Sequence, residues 1–252
     1  MRRPSLKTFL TLGLALGGLC VAACALSWHG FTLVEWWRDS RSGVVLYKAD
    51  TRAKVVALTF DDGPDPIYTP RVLAILRRYG VRATFFETGR QVQAYPQVAR
   101  MVVAEGHVVG NHTWSHPYLE RKSARGVGSE MEGGEICLEK TLRLRSHLFR
   151  PPRGHWNPII FREARREGDH IILWTVALEH HDAPTPRAMV ARALRLVQPG
   201  SILLMHDGAH VSREKTVEAL PLLLDGLRRR GYRCVTVPEL FHIHGDDPLK
   251  KT

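Results

Sequence analysis

The sequence predicts an α/β protein, built as a distorted parallel (β/α)7 barrel in a single domain and preceded by an N-terminal hydrophobic segment. Short apolar runs alternate with longer segments of helical period, a pattern typical of parallel strands joined by helices. With 252 residues and 44% apolar composition, the chain is long enough for one core and needs no second. Unusual polar residues follow successive predicted strands, and the functional residues of such barrels lie at that end.

The apolar runs give the order of the elements. The first predicted helix covers residues 70–79 and ends at Gly80, since glycine readily takes the left-handed backbone of a helix end. Four glycines within residues 126–134 weaken the helical pattern of that segment. Seven β-branched or apolar runs are predicted as strands, at residues 54–60, 83–86, 107–109, 148–149, 170–176, 201–205 and 233–237.

Residues 1–28 have the pattern of a signal peptide or a membrane anchor. A pair of arginines precedes an uncharged run of 20 residues, 9–28, and a helix of that length spans about 30 Å, the thickness of the hydrocarbon core of a bilayer. The segment Ala23-Cys24-Ala25 also has the form of a signal-peptidase site, and the residues that end in Cys24 resemble a lipoprotein box. A cleaved signal, a lipoprotein and an uncleaved anchor all stay open. Each predicts an exported, membrane-anchored, periplasmic or extracellular protein, because the positive end stays in the cytoplasm.

Composition and pattern define the remaining domain boundaries and limit the classes of partner that the chain can bind. Residues 29–50 are predicted as a linker, residues 51–242 as the catalytic domain and residues 243–252 as a C-terminal tail. The net charge of +11 favours an anionic partner, but the basic residues are spread along the chain without a block, so no nucleic-acid-binding patch is predicted. Cys137 and Cys234 are the only cysteines after the N-terminal segment. An export compartment permits a disulfide, but two thiols are favoured.

Two adjacent carboxylates, Asp61 and Asp62, follow the first predicted strand and precede Gly63 and Pro64. Like charges this close repel, so a buried pair requires a cation at one carboxylate and a hydrogen-bonding base such as arginine at the other. An ordinary surface turn is the alternative, because Asp-Gly-Pro is common turn chemistry.

Two imidazoles, His112 and His116, follow the third predicted strand. Residues four apart share a face on a helix and can also converge on a tight loop. Together with the carboxylate of Asp62, they offer two nitrogens and one oxygen to zinc or a similar divalent ion.

Four motifs, in this order and approximate spacing, resemble those of the polysaccharide deacetylase family, carbohydrate esterase family 4. The resemblance covers roughly residues 50–240, and four motifs together are far more specific than any one. The motifs are Thr59-Phe-Asp-Asp-Gly63, His112-Thr-Trp-Ser-His116, Arg150-Pro-Pro-Arg-Gly154 and Leu203-Leu-Met-His206.

The resemblance implies a role for each polar residue of the motifs. It implies that Asp61 is the general base, that Arg150 orients this base and that His206 is the general acid. It further implies a divalent metal, zinc with cobalt as the alternative, and as its ligands Asp62, His112 and His116.

The chain departs from the family in two motifs. Arg153 stands where the family usually has tyrosine, which changes the pocket wall but leaves the main-chain N–H that would hold the oxyanion. Trp156 lies in the same loop and is either a core residue, as tryptophans more often are, or a ring that stacks on a sugar of the substrate. In a further family motif, which corresponds to residues 174–182 here, Ala177 stands where the family has an aspartate that tunes the general acid, and either Glu179 or Asp182 is the alternative source of that carboxylate.

The sequence thus predicts a monomeric, metal-dependent hydrolase that removes acetyl groups from N-acetylated or O-acetylated sugars of a cell-envelope or extracellular polysaccharide. The N-terminal segment would bring it to the membrane. The alternative is a glycan-binding protein on the same fold, with catalysis weakened by Ala177. The base, the metal ligands and the acid together argue against it, since a binding protein needs none of their chemistry.

Overall fold

The described residues, 44–208 and 211–242 of this computed structural model, fold around one parallel sheet. Its strands are β1 (Val45–Leu46), β2 (Val55–Asp61), β3 (Thr84–Glu87), β4 (Val108–Asn111), β5 (Leu148–Phe149), β6 (His170–Ile172), β7 (Val176–Ala177), β8 (Ile202–His206) and β9 (Arg233–Val235). Their order across the sheet is β1-β6-β5-β4-β3-β2-β8-β7, with β9 beside β2. This order confirms the predicted barrel, and in these two ranges the distortion is a seam, because no ladder joins the two end strands, β1 and β7.

The predicted strand at residues 170–176 is wrong as one strand, because the chain changes neighbours in its middle. β6 pairs with β5 and β1, whereas β7 pairs with β8. The N–H of Leu173 still donates to Leu46 O at 2.7 Å, but the N–H of Thr175 already donates to Ile202 O at 3.0 Å. At residues 173–175 the chain therefore passes from the β1 side of the seam to the β8 side.

The folded part begins earlier than the predicted boundary at residue 51. β1 lies within residues 29–50, the interval assigned to a linker, and its two buried residues pair with Ile171 and Ile172. Two residues were too short a run to stand out in the sequence, since their strand conformation depends on the partner strand.

Helices connect most of the strands, as the alternating pattern predicted. α1 ends at Gly80 in the left-handed conformation, φ 63°, which confirms the predicted end. The helices are α1 (Tyr68–Tyr79), α2 (Gly89–Ala94), α3 (Pro96–Ala104), α4 (Ala124–Leu142), α5 (Pro158–Glu167), α6 (Pro186–Leu196), α7 (Glu214–Arg229) and α8 (Val237–His242).

The glycines of residues 126–134 do not break a helix, since α4 runs through all of them for 19 residues. A Cβ at Gly134 would lie 2.3 Å from Oδ1 of Asn111, and one at Gly133 would lie 3.2 Å from Trp114. These glycines therefore let α4 approach the end of β4, where the chain continues into His112, one of the predicted metal ligands.

The alternation of β2 points its last residues into the barrel. Val56, Leu58 and Phe60 belong to the large buried cluster that includes α1 and α7. Val55 and Ala57 belong to a second cluster, contributed by several strands. Because side chains of a strand alternate between its faces, the next two residues on this inner face are Thr59 and Asp61.

Several predictions concern residues outside the described ranges. The signal or anchor at residues 1–28 and the tail at residues 243–252 therefore stay predictions, as does most of the linker. No described helix combines the length and apolar character that crossing a bilayer requires. Cys137 and Cys234 are both free, as predicted.

Candidate active site

The predicted site residues meet at the carboxyl ends of neighbouring strands. Asp61 ends β2 and is level with His206, which ends β8. His112 directly follows β4, and Arg150 directly follows β5. The parallel sheet therefore gathers groups that are up to 145 residues apart in the chain at one edge.

Arg150 is fully buried and holds Asp61 in place. Its Nη1 donates to Asp61 Oδ1 at 2.6 Å and to Thr59 Oγ1 at 2.8 Å, and its Nε donates to Ile172 O at 2.8 Å. The guanidinium also lies 4.0 Å from the centre of the Phe86 ring. Burial lowers the pKa of Arg150, and the adjacent carboxylate of Asp61 opposes this shift, so each group offsets the cost of burying the other.

Asp62, His112 and His116 form a set of donors that fits a divalent ion. Asp62 Oδ1 lies 3.5 Å from His112 Nε2 and 3.3 Å from His116 Nε2, and all three donor atoms lie within 4.8 Å of one another. Asp62 Oδ1 is buried and accepts no hydrogen bond from the described residues. His112 donates from Nδ1 to Arg150 O at 2.6 Å, which leaves its Nε2 lone pair for a metal.

The backbone around these donors adopts conformations that side-chain-bearing residues rarely take. Asp62, Thr113 and His116 have φ values of 73°, 70° and 54°. The loop is held by Glu130 of α4, whose carboxylate accepts hydrogen bonds from the N–H and Oγ of Ser115 at 2.9 and 2.8 Å. Strained backbone that persists because its surroundings fix it is typical of functional sites.

The histidines around Asp62 favour its ionised form. Burial alone would raise the pKa of this carboxyl, but the neighbouring His112, together with His206 and His116, holds the pKa well below its ordinary value. Burial and the neighbouring His112 also lower the pKa of His116. An ionised carboxylate facing neutral imidazoles is the protonation state that metal binding requires.

Glu179 supplies the carboxylate beside His206. Its Oε2 lies 3.3 Å from His206 Nδ1, and its Oε1 accepts from the N–H of His206 at 3.0 Å and from Thr216 Oγ1 at 2.7 Å. Burial alone would lower the pKa of His206, but the hydrogen bond and charge of Glu179, with the charges of Asp61 and Asp62, raise it above its ordinary value. Of the two alternatives left by Ala177, the structure therefore selects Glu179.

Two further predicted residues, Arg153 and Trp156, lie on the loop that follows β5. The exposed Arg153 donates from Nη1 to Pro117 O at 3.0 Å, and its guanidinium lies 3.9 Å from the centre of the Tyr118 ring. Trp156 is half-buried and lies 6.3 Å, centre to centre, from the ring of Phe161. Both residues stay candidates for substrate contact.

Sequence reasoning missed three ionisable groups of the site. Arg213 donates from Nη2 to Asp62 Oδ2 at 3.4 Å. Asp207 and Glu87 are buried beside the turn of residues 61–64, where Asp207 accepts from Thr69 Oγ1 at 2.5 Å. Burial raises the pKa of Asp207 to about 7 and that of Glu87 well above its usual value. Of the three, only Asp207 had a signal in the sequence, because it directly follows His206 of the motif Leu203-Leu-Met-His206.

The comparisons with known proteins agree with this geometry. Residues 48–171 match the polysaccharide deacetylase family. The chain is 39% identical over 201 residues to a Bacillus cereus peptidoglycan-N-acetylglucosamine deacetylase. The aligned region covers 79% of this chain and 93% of the relative.

Two solved structures share the fold. A peptidoglycan N-acetylglucosamine deacetylase in complex with 4-naphthalen-1-yl-N-oxidanyl-benzamide has a TM-score of 0.78 and 29% identity, over 82% of this chain and 96% of that chain. A pseudoenzyme of carbohydrate esterase family 4 from Bacillus anthracis has a TM-score of 0.73 and 29% identity, over 79% of this chain and 69% of that chain. Together with the four motifs at one edge of the barrel, these likenesses show that the chain belongs to the polysaccharide deacetylase family.

Proposed function

We propose that this protein is a metal-dependent hydrolase that removes acetyl groups from N-acetylated sugars of a cell-envelope polysaccharide, with peptidoglycan as the substrate. One observation carries the proposal: groups suited to act as a base, as metal ligands and as an acid lie together at one edge of the barrel. They are Asp61 as the base, His206 as the acid, and Asp62, His112 and His116 as the metal ligands. The 39% identity to a peptidoglycan-N-acetylglucosamine deacetylase supports the choice of substrate.

Asp62, His112 and His116 would hold the metal. When bound, a divalent ion such as zinc or cobalt supplies Lewis-acid chemistry, because it lowers the pKa of water and polarises a carbonyl. The chain contributes two buried donors and one half-buried donor, and the tie between His112 Nδ1 and Arg150 O fixes the orientation of one ring.

Asp61 is the general base of the proposed reaction. Arg150 occupies Asp61 Oδ1, so Oδ2 is the atom that can take a proton from the attacking water. This oxygen lies 3.8 Å from His112 Nε2 and therefore faces the metal ligands. The hydrogen bonds of Arg150 to main-chain oxygens keep the carboxylate from turning away.

His206 is the general acid. Its Nδ1 is held by Glu179, so its Nε2 is the atom that delivers a proton to the departing sugar amine. Because Glu179 raises the pKa of His206, the imidazolium persists to higher pH than an isolated histidine would allow.

The main-chain N–H of Arg153 is the proposed oxyanion donor. The N–H groups of Gly154 and His155 donate to Pro151 O and Pro152 O at 3.0 and 3.2 Å. For the N–H of Arg153, no acceptor is found among the described residues. A pre-positioned N–H of this kind stabilises the charge that develops on an acetyl oxygen.

Glu179 removes the main argument for the glycan-binding alternative. That reading rests on Ala177, and it requires His206 to lack a carboxylate partner. Glu179 contacts both the ring and the N–H of His206, so the acid retains the support that Ala177 cannot give.

Export and membrane attachment remain part of the proposal. Their support is the positive, then apolar, pattern of residues 1–28. Protease added outside intact cells should cleave the barrel, whereas accumulation of the full-length protein in the cytosol would contradict export.

Acetate release tests the activity. The full chain, purified in detergent, would be incubated with peptidoglycan, N-acetylglucosamine oligomers and O-acetylated xylan. We expect release from peptidoglycan, its loss after chelation and its recovery with zinc or cobalt. Activity in a demonstrably metal-free sample would contradict the metal role, and release from none of the substrates would contradict the function.

A further inference from the structure

A second group of potential metal ligands lies on the turn after β7. His180, His181 and Asp182 each offer one donor atom, and these atoms all lie within 4.8 Å of one another. None of the three has a role in the proposed reaction. They are separate from the buried set around Asp62, since they come from a different strand end and share no residue with it.

The turn itself brings the three side chains together. The N–H of Ala183 donates to His180 O at 2.9 Å, which closes a four-residue turn. The two imidazole rings lie 4.2 Å apart, centre to centre, with 31° between their planes. Consecutive residues of an extended strand would point their side chains apart, so this convergence requires the turn.

The carboxylate of Asp182 faces both rings. Its Oδ1 lies 2.9 Å from His181 Nε2, and its Oδ2 lies 3.4 Å from His180 Nδ1. One carboxylate is thus placed between two imidazole nitrogens. Two imidazoles and one carboxylate are a donor combination that zinc, nickel and copper accept, whereas calcium and magnesium prefer oxygens alone.

We propose that His180, His181 and Asp182 form a second metal site, for a divalent transition-metal ion, at the rim of the cavity beside His206. The cavity has a volume of about 520 Å³, and Glu179, His180, His181, Ser212, Arg213 and Thr216 are among its lining residues. Three protein ligands leave at least one position open, and in this place the open position faces solvent or a bound polymer.

The second site binds its ion less tightly than the buried one. The side chains of His181 and Asp182 are 83% and 68% exposed, whereas those of His112 and Asp62 are 1% and 9% exposed. Exposed ligands lose more side-chain freedom on binding, and water competes for the same ion. A metal titration should therefore fill the Asp62 set first and the His180 set second.

Metal stoichiometry tests the inference without reference to catalysis. The full chain in detergent would be stripped of metal and titrated with zinc, and bound ions would be counted after dialysis at several free zinc concentrations. We expect two ions per chain, the second at higher zinc. A wild-type protein that binds only one ion at every concentration would overturn the second site.

Variants assign each ion to its ligands. His180→Ala/His181→Ala and Asp182→Ala should lose the weaker ion and keep the tighter one, whereas Asp62→Asn should lose the tighter ion and keep the weaker. His155→Ala is the matched control, because this exposed histidine also faces a carboxylate, Glu120 at 3.5 Å, without a third ligand. It should retain both ions. A double variant of the turn that still binds two ions would place the second ion elsewhere and refute the proposal.

Discussion

The two sides of the site that hold the proposed base and the proposed acid differ in how they are enclosed. On the base side, Asp61 and Arg150 are buried, and the guanidinium contacts one carboxylate, one hydroxyl and two main-chain oxygens. On the acid side, His206 and Glu179 are 25% and 24% exposed at the side chain. The residues of the base side match the family motifs. On the acid side, the carboxylate beside His206 comes from Glu179 and not from position 177, where the family has aspartate.

This difference has a physical reason. Water cannot replace a lost partner of an ion pair that is buried inside the barrel, so each residue that contacts the pair must be kept at its position. At the edge beside the seam, a carboxylate needs only to reach the imidazole, and more than one position can supply it. We therefore expect substitutions on the base side to have larger effects than those on the acid side.

The largest effect is expected from Arg150→Met. It leaves Asp61 as a buried charge without a partner, which costs about 3–5 kcal/mol of folding stability and removes turnover. The double variant Arg150→Met/Asp61→Asn should regain much of the stability but no turnover, because the base is also lost. Thermal unfolding by circular dichroism, together with acetate release, measures both. An unchanged midpoint in the single variant would show that the pair is not stabilising.

A smaller effect is expected from His206→Ala. Loss of the general acid should reduce turnover about 10²-fold, the lower end of the range for acid–base catalysis, with zinc content unchanged. The ion count separates this loss from a damaged metal site. His155→Ala serves as the control. Near-native turnover of His206→Ala would show that another group protonates the amine.

The smallest effect is expected from Glu179→Gln, about a 10-fold loss near neutral pH. The amide can still accept the hydrogen bonds of Thr216 and of the His206 N–H, so mainly the charge is removed. Because that charge raises the pKa of His206, its loss lowers this pKa, and the alkaline limb of the rate profile moves to lower pH.

Rescue makes the role of Glu179 specific. Adding Ala177→Asp to Glu179→Gln restores a carboxylate at the position that the family uses, so the alkaline limb should return toward its original pH. A merely structural role for Glu179 predicts lower turnover without a shift of the limb. That outcome, or a failure of Ala177→Asp to move the limb, would contradict a positioning role.

The sequence was most informative where function depends on consecutive residues. Asp61 and Asp62 follow a strongly apolar strand, and His112 and His116 share one short loop, so their placement needed little more than the strand order. Arg213 and Asp207 could not be assigned because their contacts cross between separate elements. The seam was missed for the same reason, since hydrogen bonds to Leu46 and Ile202, and not any local signal, divide residues 170–176.

The end of β7 also bears on how this enzyme can change through single substitutions. Ala177 is the last residue of β7 and pairs with Leu204, two residues before His206, and the carboxylate of Glu179 reaches His206 from two residues further along the chain. An acidic residue can therefore be gained at one position before it is lost at the other. Every sequence along that route keeps a carboxylate near His206, and none needs an insertion or a change in loop length. The route between the family pattern and this chain is thus open to neutral drift.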